Sequence, residues 1–300
     1  MLPAVWPPRT LVAHTMSSLP QALVDKRDAL LRLLAELNSC VVAYSGGVDS
    51  AVVAKAAHLA LGSKAVAVTG RSASLAAGEL EAAAETARRI GIRHQVVETR
   101  EFDNPDYLRN APDRCYHCKT ELYTHLVDFV RAEAIGVVVN GANLDDQGDY
   151  RPGMQAASEF SVRSPLLECE LTKAEVRQLA ADWNLPVWDK PASPCLSSRV
   201  AYGEEVTAER VAMIDAAERY LRSHGLIELR VRYHKGDMAR IEAPLVALAR
   251  FVERDFRGEL TAEFKRLGFK YVTLDLEGLR SGSLNAVLPV ESLRKIARSH

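Results

Sequence analysis

Six consecutive residues, Ser45-Gly46-Gly47-Val48-Asp49-Ser50, bring together two glycines, two hydroxyls and a carboxylate. Between a buried strand and a helix, such a segment favours phosphate, because free backbone N–H groups and the helix dipole face the anion. Gly46 and Gly47 let the backbone approach closely, and Ser45 and Ser50 add hydroxyl donors. Asp49 could hold Mg2+ or orient the loop. A plain strand-to-helix turn would need only Gly-Gly and a capping Asp or Ser, so a structural turn is the competing explanation. The segment lacks the Gly-Lys-Ser/Thr ending of a Walker A loop and the Gly-x-Gly-x-x-Gly of a dinucleotide fold.

A second group is Arg114-Cys115-Tyr116-His117-Cys118-Lys119, two thiols three residues apart at or just before a helix start, with a cation on either side. Both features favour thiolate. Such a pair serves as a redox couple, as half of a zinc site with His117 or His125 contributing, or as two inert thiols. Cys195 lies in the rigid, polar stretch from Lys190 to Arg199, where Pro194 and Arg199 argue for a loop rather than a core position. Cys40 and Cys169 sit in apolar or strand context and read as core or incidental residues.

The elements that would position these groups follow from periodicity. Leu23, Leu30, Leu33, Leu34 and Leu37 recur at helical spacing, and Cys40 to Tyr44 reads as a buried strand running into the Gly-rich turn. Ala51 to Leu61 is helical, Ala65 to Thr69 a strand, Leu80 to Ile90 a helix closed by Gly91, and Gln95 to Glu98 a third strand. A helix around Glu121 to Ala134, a strand Val137 to Asn140 and a helix to Trp183, opened by a Thr172–Glu175 capping box, complete the alternation. The fold class expected is α/β, a doubly wound parallel sheet with helices on both faces. After about residue 200 the pattern changes: a helix from the Thr207 cap to His224, strands Leu226 to Tyr233 and Met238 to Glu242, two short helices and a last strand, Leu284 to Val290. Residues 20–200 should therefore form the nucleotide domain and 201–300 a smaller α+β domain. Residues 1–19, with three prolines before Met16, are expected to be disordered.

The turn resembles the SGGxDS pyrophosphate loop (PP-loop) of the ATP pyrophosphatases, which split ATP between the α and β phosphates and adenylate a substrate oxygen. That resemblance implies ATP and Mg2+, a nucleotide near Thr69-Gly70-Arg71-Ser72, an AMP contact by Asn143, and magnesium or loop support by Asp146. Taken together, YSGGVDS at 44–50, RCYHCK at 114–119, NGANLDDQGDYRPG at 140–153, WDKPASPCLSSR at 188–199 and VRYHKGDMARIE at 231–242 resemble the LarE family, from about residue 22 to the C-terminus. These are sulfur transferases of nickel-pincer nucleotide biosynthesis. The resemblance implies that ATP activates a carboxylate of pyridinium-3,5-biscarboxylate mononucleotide and that a protein-held sulfur displaces AMP to leave a thiocarboxylate. One type sacrifices the cysteine at the position of Cys195. The other adds a Cys-x-x-Cys pair to hold a [4Fe-4S] cluster with an open iron, and Cys115, Cys118 and Cys195 match it. Two carboxylates and a phosphate on the substrate call for arginines, the candidates being Arg151, Arg199, Arg232 and Arg240, each of which could equally be a solvated surface charge or an interdomain ion pair. Asp237 and Glu242 could join a second metal site or simply sit in a hairpin.

Composition narrows the rivals. The 300 residues are 48% hydrophobic and 26% charged with a net charge of -1, ordinary globular usage with no basic excess for a stable nucleic-acid partner. There is no membrane-length apolar run and no secretory signal, so a cytoplasmic protein with reduced cysteines is expected. A tRNA 2-thiolation enzyme shares the adenylating loop and a three-cysteine cluster, but would need a basic surface. An ammonia-using synthetase leaves the cysteines unexplained, and a binding protein that lost catalysis is the third rival. The family resemblance also implies a homo-oligomer.

Overall fold

The computed structural model describes residues 19–147, 152–191 and 193–280. Arg151, the strand expected at Leu284 to Val290 and the disorder expected before residue 19 lie outside them. In chain order the elements are α1 (Gln21–Glu36), β1 (Cys40–Ala43), α2 (Val48–Leu61), β2 (Ala65–Arg71), α3 (Glu79–Ile90), β3 (Arg93–Glu98), α4 (Pro105–Leu108), α5 (Arg114–Ala132) and β4 (Val137–Val139). There follow α6 (Pro152–Glu159), α7 (Pro165–Glu168), α8 (Lys173–Asp182), α9 (Ala208–Ser223), β5 (Arg230–His234), β6 (Met238–Glu242), α10 (Leu248–Val252), α11 (Arg254–Arg266) and β7 (Tyr271–Leu274). Two compact units emerge. One contains the chain up to Arg71, Ala77–Thr99 and Lys119–Ser193; the other contains Ser72–Ala76, Arg100–Cys118 and the chain from Pro194 onward. The division thus falls seven residues before the position expected from sequence, and two earlier segments join the second unit.

In the first unit four strands pair in the order β3-β2-β1-β4, all parallel. β1 is central: Cys40, Val41 and Val42 are fully buried, which is why the strand reads as a continuous apolar run rather than an alternating one. The chain winds from β1 through β2 to β3 on one side and places β4 on the other, so winding reverses between β1 and β4. In open parallel sheets ligands bind outside the carboxyl ends of the strands at such a reversal. α2 is buried on most of its circumference, with Val48, Ala51, Val52, Val53, Ala54, Ala56 and Ala57 sealed, and its small side chains permit close packing. α8 starts where the sequence places it, and both halves of the Thr172–Glu175 capping box are made.

In the second unit β5 and β6 form an antiparallel hairpin and β7 adds parallel to β6. β5 is shorter than the sequence suggests, beginning at Arg230 rather than Leu226. α9 presents Val211, Ile214, Ala217 and Leu221 at helical spacing to a core that includes Val231, Tyr233, Ile241, Phe264 and Phe269. Two carboxylates are completely buried there. Glu218 accepts from Arg199 at 3.1 Å, from the Val231 N–H at 3.1 Å and from Arg222 at 2.6 Å. Glu242 pairs with Arg232 at 2.9 Å and Arg240 at 3.1 Å. Among the described residues no helix is long and apolar enough to cross a membrane.

Removing one partner of a buried pair strands the other charge. Glu218→Ala should therefore destabilise the protein by about 3–5 kcal/mol, seen as a lower urea midpoint at unchanged slope. A shift under about 1 kcal/mol would contradict a structural role for the pair.

Candidate active site

The loop between β1 and α2 is shaped by two close approaches. Gly46 has a positive φ of 73°, and a Cβ there would lie 2.7 Å from Ala83 Cβ. Gly141, just past β4, is as constrained: a Cβ would come within 2.8 Å of the Ser50 nitrogen and 3.0 Å of the Asp49 carbonyl carbon. Gly47 differs. Its backbone is ordinary extended, φ -78° and ψ 164°, and a Cβ would meet only Ser45 Oγ at 3.4 Å. The fold does not require glycine at 47; a ligand pressed against the backbone would, and the site fits phosphate on that ground.

The side chains of the loop are held by one another. Ser50 Oγ donates to the Gly47 carbonyl at 3.1 Å and accepts from the Ser45 N–H at 3.2 Å, with Ser45 Oγ 3.2 Å away. Asp49, in the first turn of α2, accepts from Asn143 Nδ2 at 3.1 Å and forms an ion pair with Lys173. Asn143 also accepts from the Asp145 N–H, while Asp146 accepts from the Asn143 N–H at 3.0 Å. The 140–146 loop is thereby folded onto the start of α2, and Asp146 supports that loop. Ser72 Oγ is engaged elsewhere, 2.5 Å from buried Glu101 Oε1 in the second unit. Thr69 hydrogen-bonds the Tyr44 carbonyl and His94, whose charged form burial disfavours.

The thiols lie in the second unit. Cys115 and Cys118 occupy the first two turns of α5, which begins seven residues earlier than the sequence pattern suggests; Cys115 is exposed and Cys118 packs against the core. Cys195 is exposed at the N-cap of a 3-10 turn, Leu196–Arg199, whose backbone is fastened from several sides. Leu196 N–H donates to the Ser74 carbonyl at 2.9 Å, Tyr107 Oη lies 2.7 Å from Ser197 Oγ, and Arg114 donates to the Ser197 carbonyl at 2.8 Å. Asn110 Nδ2 donates to the carbonyls of Val200, Ala201 and Glu204. Arg199, 4% exposed, donates to the carbonyls of Pro194 and Cys195. Burial works against the Arg114 charge, yet neighbouring Cys195, Cys115 and the Tyr107 phenol hold it above the usual guanidinium range. Burial and Cys195 push the Tyr107 hydroxyl upward in turn.

Of the arginines expected to meet anions, Arg199 and Arg232 are buried on Glu218 and Glu242, and Arg240 bridges Glu242 and Asp275. Asp237 sits in the β5–β6 turn, accepting from Tyr233 Oη at 2.5 Å and pairing with Lys270, which together hold its carboxyl below the usual range. Among the described residues no three His, Cys, Asp or Glu side chains are arranged to hold a metal ion, so the iron–sulfur expectation gains no support from the geometry. Sequence reasoning missed Tyr107, Asn110 and Lys173. Only Lys173 left a signal, a cation at the first helical position behind a Thr cap, where the dipole disfavours it.

A glycine-cradled turn at the winding reversal of a parallel sheet, with no Walker lysine, defines a PP-loop nucleotide-binding α/β protein. The asparagine synthase family matches residues 27–127. The chain is 49% identical over 266 residues to an uncharacterized protein of Synechocystis, covering 89% of this chain and 99% of that one. It is 38% identical over 277 residues to the pyridinium-3,5-bisthiocarboxylic acid mononucleotide synthase of Lactiplantibacillus plantarum, covering 92% and 99%. A tRNA-specific 2-thiouridylase of Rickettsia rickettsii matches at 29% over 200 residues, 55% of each chain, a likeness confined to the shared loop superfamily. The chain belongs to the LarE family.

Two outcomes follow. Gly47→Val should lower ATP affinity by at least roughly tenfold while leaving the melting temperature within a few degrees, whereas Gly46→Ala should lower the melting temperature. Iodoacetamide at pH 8 should label Cys115 and Cys195 well before Cys40, whose thiol burial pushes up to about 12; equal labelling by peptide mass spectrometry would contradict the burial.

Proposed function

We propose that this protein is an ATP-dependent sulfur transferase that converts carboxylates of pyridinium-3,5-biscarboxylate mononucleotide to thiocarboxylates. The observation that carries it is the 38% identity, over 99% of its length, to a synthase whose name specifies the bisthiocarboxylic acid mononucleotide. A carboxylate oxygen attacks the α-phosphorus of ATP, pyrophosphate leaves, and the acyl adenylate holds a carbon that sulfur can attack with AMP as leaving group. Ser45, Gly46, Gly47 and Ser50 bind the phosphates through amide and hydroxyl donors, and Asp49 is the ligand for Mg2+. Asn143 and Asp146 hold the adjoining loop against them, Asn143 contacting AMP. Of the residues expected to meet anions, Arg240 is the most exposed of the three described arginines and the best placed to reach the substrate, whereas Ser72, Arg199 and Arg232 are committed to Glu101, Glu218 and Glu242.

Cys195 carries or relays the sulfur, supported by its exposure on a turn whose backbone is pinned on every side. Cys115 and Cys118 join it as the three thiolates of a [4Fe-4S] site. What supports that site is the match of the three cysteines to the cluster type of the family, not their arrangement among the described residues. When bound, the cluster would supply sulfide for repeated turnover. The protein acts in the cytoplasm as a homo-oligomer, a state supported by exposed Leu245, Val246, Val252 and Leu276 on the second unit.

Pyridinium biscarboxylate mononucleotide, and not tRNA, should stimulate pyrophosphate release from ATP. Stimulation by tRNA alone would replace this function with RNA thiolation. Anaerobically prepared Cys115→Ala, Cys118→Ala and Cys195→Ala variants should each lose the cluster absorbance and thiocarboxylate formation. Full activity of the first two with conversion of Cys195 to dehydroalanine would establish the sacrificial route.

A further inference from the structure

Among the described residues of the first unit Trp188 is the one exposed aromatic side chain, and the turn that carries it is fixed. Arg177 in α8 donates to the Trp188 carbonyl at 2.7 Å and to the Lys190 carbonyl at 2.8 Å, so one planar guanidinium spans the turn. The Trp188 N–H donates to the Leu185 carbonyl at 3.2 Å and the Lys190 N–H to the Val187 carbonyl at 3.1 Å, and both Leu185 and Val187 are anchored in the core. Trp183, five residues earlier, packs against that core, whereas Trp188 is 42% exposed. The position of the turn is set by α3. Lys190 Nζ pairs with Glu79 Oε2 at 2.7 Å, and Glu79 is the first residue of that helix. Residues four apart on a helix are neighbours on one face, so Glu79 lies one turn from Ala83, the residue against which Gly46 packs. The Trp188 turn therefore flanks the phosphate loop, one turn of α3 away from it.

We propose that Trp188 is a specificity-determining residue whose indole stacks on the cationic ring of the pyridinium dicarboxylate during adenylation. This rests on the functional reading above. The carboxylate that attacks ATP is bonded directly to the ring, so the ring must lie beside the phosphate loop when the bond forms. The ring carries a fixed positive charge at nitrogen, and the negative face of an indole attracts a cation better than that of any other side-chain ring. An acidic side chain would attract the ring as well, but it would repel the two carboxylates of the substrate and the phosphates of the nucleotide. An indole attracts the cation without adding a net charge to an anion-filled site. Its backbone clamps hold it there before substrate arrives, which lowers the ordering cost of binding.

Calorimetric titration without turnover tests it, in the presence of an ATP analogue with a methylene bridge between the α and β phosphates. The probes are pyridinium-3,5-biscarboxylate mononucleotide and its ring-reduced dihydropyridine form, which keeps both carboxylates and the phosphate but loses the ring charge. Trp188→Leu should bind the pyridinium form about fivefold more weakly than wild type and the reduced form within about twofold of it, while Trp188→Phe keeps most of the pyridinium affinity. Affinity for the nucleotide analogue and the melting temperature should be those of the wild type in both variants. Unchanged pyridinium binding in Trp188→Leu, or an equal loss for the two ring forms, would overturn the proposal and leave the functional reading standing. A loss of nucleotide affinity in Trp188→Leu would give the indole to the adenine and overturn it too. If the wild-type chain binds neither ring form, the functional reading falls and this proposal falls with it.

Discussion

A helix that begins at the end of a buried parallel strand leaves its first amide groups without partners, and this structure keeps them open by crowding the turn with backbone rather than side chains. Gly46 lies against Ala83 and Gly141 against Ser50, both closer than any Cβ permits. The contacts bring β1, α2, α3 and the loop after β4 into register around one short turn. Three of the four residues of β1, Cys40, Val41 and Val42, pair on both sides, Cys40 with Ala65 and with Val137. The acidic side chains that fold onto the turn would be unfavourable neighbours for an anion unless a cation were built in with them.

The second unit solves a different problem, that of holding the backbone around an exposed thiol, Cys195, from several sides. Backbone carbonyls from Pro194 to Glu204 are taken up by buried donors, Arg114, Asn110 and Arg199. Arg199 is itself compensated by Glu218, which in turn ties α9 and β5 together. Among the described residues Arg114 pairs with no carboxylate; the acidic groups that support its charge are Cys195, Cys115 and Tyr107.

Much of the first unit was legible because its signals are local. The apolar run 40–44, the glycines of the turn and the Thr172–Glu175 box each specify a conformation from a few neighbouring residues, and each is realised. The boundaries that shifted did so through tertiary contacts. α5 begins at Arg114, whose guanidinium donates to the Ser197 carbonyl, a partner no periodicity reveals. The same blindness affects the arginines. Sequence presents Arg199, Arg232 and Arg240 as equivalent anion binders, whereas burial on Glu218 and Glu242 distinguishes the first two from the third. The resemblance puts Ser72 near the nucleotide, but its hydroxyl turns to Glu101, 29 residues on.

In the proposed function the Ser45–Ser50 turn positions ATP for attack at the α-phosphorus rather than the γ. Phosphorus resonance spectroscopy of the products formed from ATP in the presence of pyridinium biscarboxylate mononucleotide addresses it directly. AMP and pyrophosphate in equal amounts are the predicted products; ADP and inorganic phosphate would contradict the account.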